Sequence, residues 1–217
     1  NPKTMKFEIT GDMSSGRTKQ TAILLDSGEV WVLGGGREDK NYNLTELYIP
    51  NKHEFRDYIN IDELLAYKMA SKIDKDKILF YGGFNNKNFT SFNTSLYFDM
   101  SNKNFIKTED MKQARDGKEG VLLKDGNLLI TGGLDHKGFG AKYLKSTEIY
   151  NPKTEKYNWA GEMYYKRAGH RTVLLKNGRV LITGGKKGRG NKDYISKSEI
   201  FIPKNINKGR GTEWQVL

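Results

Sequence analysis

The chain of 217 residues contains no cysteine, only three histidines and only four prolines. The lack of cysteine excludes disulfide bonds, thiol catalysis and thiolate metal sites. No apolar run approaches the length of about 18 residues that a membrane-spanning helix needs, so we predict no transmembrane segment. Phosphate-binding loops, Gly-x-Ser-x-Gly nucleophile motifs and metal-spaced histidine pairs are also missing. The sequence therefore predicts no catalytic residue, no cofactor and no metal site.

Acidic residues are scarce relative to basic ones, with 26 against 37, which gives a formal net charge of +11. A positive surface raises the local concentration of anionic partners such as nucleic acid, acidic glycans or lipid headgroups. The alternative interpretation is that the lysines serve only solubility. No recognised nucleic-acid-binding motif accompanies the charge, so we do not predict a nucleic-acid partner.

Glycine, by contrast, is abundant and recurs in pairs that divide the chain into repeats. The stretch Leu174–Gly185 consists of a short apolar strand, an Asn-Gly turn and a second apolar strand that ends at two glycines. Asn and Gly both tolerate the positive φ of a tight hairpin turn. The pattern recurs at 24–35 and 122–133, and more loosely at 77–83. The glycine pairs are Gly34-Gly35, Gly82-Gly83, Gly132-Gly133 and Gly184-Gly185, at intervals of 48 to 52 residues.

A period near fifty built from strand-sized pieces is typical of a propeller or a similar repeat array. Each repeat can be divided into four strands, which in the third repeat are Lys118–Lys124, Asn127–Thr131, Ser146–Tyr150 and Lys156–Trp159. Four short antiparallel strands cannot form a core alone, but sheets stacked face to face around an axis can. The second strands are apolar throughout because such stacking buries both of their faces. We therefore predict an all-β fold, a β-propeller of four-stranded blades.

The order of these residues resembles the kelch repeat, in the form found in bacterial proteins and in the central domain of galactose-oxidase-like proteins. The third repeat carries the motif as Arg115, Leu122-Leu123, Gly132-Gly133, Thr147-Glu148-Ile149-Tyr150 and Pro152-Lys153. The resemblance covers nearly the whole chain and implies a kelch-type β-propeller. Its bacterial form favours a secreted or surface-attached bacterial protein. The second repeat departs most, because it lacks the turn glycine and has Ser95 where the others carry Glu46, Glu148 and Glu199.

We predict a single domain whose blades span 14–60, 61–110, 111–163 and 164–217, with one helical turn at 61–67. The first residues match the end of a blade, since Asn1-Pro2-Lys3-Thr4 recurs at 151–154. The segment 1–13, with a strand at Lys6–Thr10, is therefore predicted as the outer strand of a preceding blade. Two arrangements remain open: a four-bladed ring with a surplus strand, or part of a ring of six or seven blades. The further blades would come from the same parent chain or from a second copy.

The loops that follow the glycine pairs are predicted as the binding face. They span 36–44, 84–94, 134–145 and 186–197, much longer than the Asn-Gly turns at the opposite end. Long polar loops on a rigid scaffold are where binding tends to occur. The resemblance implies that partners bind on this face. The basic candidates within the loops are Arg37, Lys137, Lys186, Lys187 and Arg189.

Three arginines, Arg17, Arg115 and Arg167, each stand eighteen residues before the second glycine of a pair. Between blades near the axis they would form part of a ring of guanidinium groups, which suit anionic ligands. His170 and Arg171 would extend this site. In the alternative interpretation each arginine pairs with its own repeat glutamate, and we interpret Glu46, Glu148, Glu199 and the paired glycines as structural.

Taken as a kelch-type propeller, the chain is predicted to be a non-catalytic protein-interaction or surface-recognition module that acts through its basic long-loop face. Galactose-oxidase copper chemistry needs a tyrosine cross-linked to a cysteine, which this chain lacks. The alternative is a carbohydrate-binding or carbohydrate-active propeller, similar to sialic-acid mutarotases, whose anionic sugar the three arginines would hold. A third possibility is binding of polyanions. The predicted partner is thus another protein or an anionic glycan.

Overall fold

The computed structural model describes residues 3–18, 20–37, 43–62, 68–85, 87–117, 119–203 and 213–217. All regular structure within these ranges is β, and none of the described residues forms a helix that could cross a membrane. The chain divides into two compact units, 1–67 and 68–217.

The first unit contains one blade and a short accessory ladder. Its described strands are β1 (Arg17–Thr18), β2 (Thr21–Leu24), β3 (Val30–Leu33), β4 (Gly36–Arg37), β5 (Leu44–Ile49) and β6 (Glu54–Asn60). Strands β2-β3-β5-β6 form an antiparallel sheet in chain order, which is blade 1, and β1 pairs with β4. Trp31, Leu33 and Leu47 are buried in this blade.

The second unit contains three blades and a fourth sheet made from their loops. Blades 2, 3 and 4 are the antiparallel sheets β7-β8-β11-β12, β13-β14-β17-β18 and β19-β20-β21-β22, and the loop sheet is β9-β10-β15-β16. The strands are β7 (Met69–Asp74), β8 (Lys77–Tyr81), β9 (Phe84–Asn85), β10 (Thr90–Ser91), β11 (Ser95–Asp99), β12 (Asn104–Lys107), β13 (Glu119–Leu122), β14 (Leu128–Thr131), β15 (Leu134–Lys137), β16 (Gly140–Tyr143), β17 (Ser146–Asn151), β18 (Lys156–Glu162), β19 (Arg171–Leu174), β20 (Val180–Thr183), β21 (Glu199–Ile202) and β22 (Glu213–Val216).

Blade 3 is buried on both faces, as its unbroken apolar second strand predicts. Successive side chains of a strand point to opposite faces of the sheet. Leu128 and Ile130 accordingly pack with Leu79 of blade 2, whereas Leu129 packs with Val180 of blade 4. This face-to-face stacking confirms the predicted fold class and explains why β14 has no polar residue before Thr131.

The paired glycines are set by backbone geometry. Gly132 and Gly133 have φ values of 53° and 99°, in the region where L side chains are strained. A Cβ on Gly132 would also collide with the carbonyl oxygen of Arg167. Gly133 donates its N–H to that same oxygen at 2.7 Å. The pair therefore lets the chain that enters the next blade lie directly against the end of β14.

The predicted strand at Lys6–Thr10 is not observed in the structure. The segment Lys6–Thr10 belongs to no strand of the structure, and Phe7 and Ile9 are fully exposed. A β-strand requires a neighbouring ladder, and none of the described strands pairs with this segment. The predicted turn of helix at 61–67 falls mainly on 63–67, outside the described residues.

The position of the repeat glutamate in blade 2 is also corrected. The ladder pairs Leu96 with Phe80, just as Glu148 pairs with Ile130 in blade 3. Ser95 pairs with Tyr81 and corresponds to Thr147 instead of to Glu148. Leu96 thus takes the place of the repeat glutamate in blade 2. The sequence prediction named Ser95 because it aligned the second repeat one residue out of register.

Candidate interaction face

Arg115 is fully buried inside blade 3 and has no surface for a ligand. Its Nη1 donates to the carbonyl oxygens of Gly132 at 2.7 Å and Ser146 at 3.0 Å, and its Nη2 donates to Glu148 Oε1 at 2.8 Å. Glu148, also fully buried, accepts the backbone N–H of Lys112 at 2.7 Å. The pair therefore ties the segment before β13 to the ends of β14 and β17.

Arg17 and Arg167 repeat this arrangement in their own blades. Arg17 lies 2.7 Å from Glu46, and Arg167 lies 3.0 Å from Glu199, with all four side chains at most 1% exposed. Burial raises the pKa of Glu46, but its hydrogen bonds to the Ser14 backbone and to Arg17 outweigh this and hold the pKa below its usual value. These contacts correct the expectation of guanidinium groups open to a ligand, and they are those of the alternative that pairs each arginine with its repeat glutamate.

His170 is also buried, at 1% exposure, which corrects its proposed role beside the arginines. Its Nε2 lies 2.7 Å from the hydroxyl of Thr131. Burial, with the nearby charges of Arg167 and Arg171, lowers its pKa to about 3. The imidazole is therefore neutral at physiological pH and is no anion ligand. The side chain of Arg171 is exposed.

Lys68 is a buried cation that the sequence analysis missed. Its Nζ donates to the carbonyl oxygens of Gly82 at 3.3 Å and Thr94 at 2.8 Å, which correspond to the two carbonyls that Arg115 binds in blade 3. A third bond, of 2.6 Å, goes to the Thr94 hydroxyl, and the ring of Phe92 lies 4.9 Å away. Lys68 stands fourteen residues before Gly82, whereas Arg115 stands seventeen before Gly132, so the repeat spacing did not reveal it.

The long loops of blades 2 and 3 fold together into a sheet of their own. Strands β9 and β10 come from the first loop, β15 and β16 from the second, and Thr90 pairs with Lys137 where the two loops meet. The Ser91 hydroxyl donates to the carbonyl of Leu134 and accepts the N–H of His136, both at 3.0 Å. This loop sheet gives the predicted binding face a hydrogen-bonded framework.

Three phenylalanines form an aromatic cluster on the loop sheet. Phe84 contacts Phe89 edge to face with ring centroids 6.2 Å apart, and Phe89 stacks on Phe139 at 5.3 Å with an interplanar angle of 30°. Phe139 is 86% exposed and Phe89 is 42% exposed. We call Phe84, Phe89 and Phe139 the aromatic ledge. Exposed, clustered aromatic side chains are characteristic of binding surfaces.

The predicted basic residues of blades 3 and 4 lie in the same long loops, and one of them contacts the ledge. Arg189 Nη2 donates to the carbonyl oxygen of Phe139 at 3.1 Å, which joins the blade 4 loop to the loop sheet. Lys186 Nζ lies 4.2 Å from the centroid of the Tyr194 ring, which is 65% exposed. Lys137 and Lys187 are exposed. The side chain of Arg37, the candidate in the first unit, lies outside the described part of the structure.

In the part of the chain that the structure describes, no three His, Asp or Glu side chains come together. The face offers cations, aromatic rings and backbone groups. Groups of these kinds can contact an anionic or an apolar surface.

The comparisons with known proteins support this fold. No protein-family profile matches the chain. It is 25% identical over 144 residues to Kelch repeat-containing protein kel-10 of Caenorhabditis elegans, covering 63% of this chain and 24% of that protein. It is 33% identical over 75 residues to human Kelch-like protein 34, covering 35% of this chain and 11% of that protein. The chain thus spans a quarter or less of these two relatives.

The solved structure of YjhT matches with a TM-score of 0.79 and 14% identity, covering 99% of this chain and 74% of that chain. Together with the four-stranded blades and the kelch-containing relatives, this match shows the fold class. The chain has the fold of a kelch-type β-propeller.

Proposed function

We propose that this protein is a non-catalytic interaction module that binds another protein through the long-loop face of residues 68–217. A kelch-type fold supports many functions, so the proposal depends on the site and not on the fold. The observation that carries it is the loop sheet, in which segments of two blades pair to display a cluster of exposed aromatic side chains.

The face is supported from below by the blades. Gly83 and Gly133, at the start of the two loops, donate their N–H groups to the carbonyl oxygens of Arg115 and Arg167 at 3.0 and 2.7 Å. Those arginines are themselves fixed by buried ion pairs. A preorganised face loses little conformational entropy when a partner binds, which favours affinity.

Site-specific photo-cross-linking in cells that produce the protein tests the proposal. A photoreactive phenylalanine analogue replaces Lys187 in the blade 4 loop or, in the matched control, Lys153. Lys153 is also exposed but lies in the hairpin turn between β17 and β18, at the other end of blade 3. We expect a discrete protein adduct from position 187, identified by mass spectrometry, and none from position 153.

Equal labelling at the two positions, or no protein adduct from position 187 under conditions where the analogue is incorporated, would contradict the proposal.

A further inference from the structure

We infer that the aromatic ledge and the cations of the long loops bind an acidic polypeptide segment that carries an aromatic or aliphatic side chain. The inference depends on the proposed function, namely that the long-loop face binds protein, and specifies the chemistry of the partner. The ledge would receive the apolar side chain, and Lys137, Lys186 and Arg189 would receive the carboxylates.

The first argument is the exposure of the ledge. Phe139 and Phe89 stack on each other at 5.3 Å, yet 86% and 42% of their surfaces remain exposed. Their contact therefore leaves a broad apolar surface in water, and covering such a surface is favourable. The ring of Phe84, which is half-buried, supports Phe89 from one side. A stacked, half-supported pair of rings is suited to receive one further apolar side chain.

The second argument is the backbone of Phe89. Its φ of 56° lies in the left-handed region, which is unusual for a bulky residue. His53, Lys103 and Glu155 have the same conformation at the ends of outer hairpin turns, and Phe89 has it at the end of the turn between β9 and β10. The turn before Phe89 is closed by the Lys87 N–H, which donates to Asn85 Oδ1 at 2.9 Å. The hairpin turn between β9 and β10 thus fixes the position of the Phe89 ring against Phe84 and Phe139.

The third argument is the distribution of charge. The loops 84–94, 134–145 and 186–197 together contain nine lysines and arginines but only two aspartates, Asp135 and Asp193. They therefore carry seven of the eleven net positive charges of the chain. Electrostatic complementarity favours an acidic partner and accelerates its association.

The rings distinguish a polypeptide from a glycan. Phenylalanine has no hydrogen-bonding group, so the ledge can satisfy none of the hydroxyls that a sugar would bring to it. A polypeptide segment offers an apolar side chain and carboxylates at separate positions, as the ledge and the cations require. We therefore favour a polypeptide, and binding of an acidic glycan becomes an outcome of the test.

Fluorescence anisotropy with the full chain and synthetic peptides tests the inference. The probes are three labelled peptides of equal length. The first combines Glu with Phe and Leu, the second combines Glu with Ser, and the third combines Ser with Phe and Leu. We expect the first peptide to bind about tenfold more tightly than either of the others, which corresponds to about 1.4 kcal/mol. Labelled sialyl-oligosaccharide and heparin fragments are measured in parallel.

The variants assign the two parts of the site. Phe139→Ser should reduce the affinity for the first peptide about tenfold and leave the Glu-Ser peptide unchanged. Phe7→Ser removes another fully exposed phenylalanine, outside the long loops, and should change neither affinity. Lys137→Glu with Lys186→Glu should weaken both acidic peptides, whereas the matched Lys153→Glu should weaken neither.

Equal affinity for all three peptides, or an effect of Phe139→Ser no larger than that of Phe7→Ser, overturns the inference. Saturable binding of an acidic oligosaccharide that depends on Phe139, without a peptide preference, overturns it in favour of a glycan. If the photo-cross-linking identifies a protein while the peptides show no preference, the proposed function stands and the inference fails. If both experiments fail, the proposed function fails with it.

Discussion

In blades 2 and 3, different cations bind the corresponding pair of backbone carbonyls. In blade 3 the guanidinium of Arg115 donates to the carbonyls of Gly132 and Ser146 and is neutralised by Glu148. In blade 2 the ammonium of Lys68 donates to the corresponding carbonyls, while Leu96 takes the place of the glutamate. The comparison shows that each blade needs a buried donor at these carbonyls, and that the carboxylate is a partner of the guanidinium.

The two cations differ in their electrostatic setting. Burial lowers the pKa of Lys68 to about 8, with only a smaller opposing effect from Asp110. Burial also lowers the pKa of Arg115, but the charge and hydrogen bond of Glu148 oppose it. The lysine can lose its proton and its charge, whereas an arginine in a protein stays charged. A buried carboxylate therefore matters more for Arg115, whose charge is permanent, than for Lys68.

Blades 2 and 3 also differ at the last residue of their second strands. Blade 2 carries Tyr81 at this position and blade 3 carries Thr131. The Tyr81 hydroxyl lies 3.0 Å from the Ser71 hydroxyl. The Tyr81 hydroxyl lies against Gly120 on the first strand of blade 3. The corresponding residue on the first strand of blade 4 is Thr172, and the blade before it carries the smaller Thr131 in place of the tyrosine. The large tyrosine in one blade thus requires a glycine in the next.

The largest effect is expected from Glu148→Leu, which introduces the leucine of blade 2 into blade 3 but keeps the arginine. Removing one partner of a buried ion pair leaves an uncompensated charge and costs about 3–5 kcal/mol of the free energy of unfolding. Adding Arg115→Met should recover part of that loss, because neither charge is then left unpaired. Urea denaturation followed by circular dichroism measures all three proteins.

The control is Glu162→Leu, which removes an exposed carboxylate that pairs with Lys145. An exposed pair contributes little, so its midpoint should stay close to that of the wild type. A loss for Glu148→Leu no greater than for Glu162→Leu would disprove the importance of the buried pair.

A smaller effect is expected from Gly120→Ala, which breaks the match between Tyr81 and its neighbour. The added Cβ would collide with the Tyr81 hydroxyl, and overpacking of this kind costs about 1–3 kcal/mol of the free energy of unfolding. Tyr81→Phe removes the hydroxyl and should reduce the penalty when combined with Gly120→Ala. Thermal and urea unfolding of the single and double variants measure this coupling.

Gly140→Ala is the matched control, because a Cβ there meets only the Lys137 carbonyl oxygen at 3.7 Å. It should leave stability nearly unchanged. Additive effects of Gly120→Ala and Tyr81→Phe would show that the collision is not the cause.

The smallest effect is the pH dependence that Lys68 gives to blade 2. Its pKa is about 8 in the folded protein against an ordinary value of 10.5, so between these values the unfolded chain binds more protons. Stability must therefore rise with pH in this window. From pH 7 to pH 9 the wild type should gain about 1 kcal/mol relative to Lys68→Met, measured by urea denaturation. In the control, Lys153→Met replaces an exposed lysine, and its stability should change with pH as that of the wild type does. If the stability of Lys68→Met also changed with pH in parallel with the wild type, the lowered pKa of Lys68 would be refuted.

Much of the fold was predictable because its signals are local and repeated. The predicted second strand of the third repeat, Asn127–Thr131, differs by one residue from the observed β14, Leu128–Thr131. The turn glycines Gly126 and Gly178 have the positive φ that a hairpin turn requires, 84° and 83°. Alternation, turn chemistry and a period near fifty each depend on neighbouring residues, and they agree with one another.

The site was less predictable because it depends on contacts between distant segments. The strands of the loop sheet are two to four residues long, too short for a periodic signal, and Thr90 meets Lys137 only because two blades stand side by side. The sequence also could not tell whether Arg115 faces solvent or Glu148, since a charged side chain becomes buried only where a partner and backbone carbonyls meet it.

The sequence by itself determined the repeat, the strands, the turns and the excess of positive charge, because short-range backbone preferences and side-chain alternation control these features. The tertiary structure alone decided which cations are buried and which are displayed. Lys68 binds the two carbonyls that an arginine binds in blade 3, because the folding of blade 2 brings Gly82 and Thr94 together. Phe89 stacks on Phe139 because the loops of two blades lie side by side.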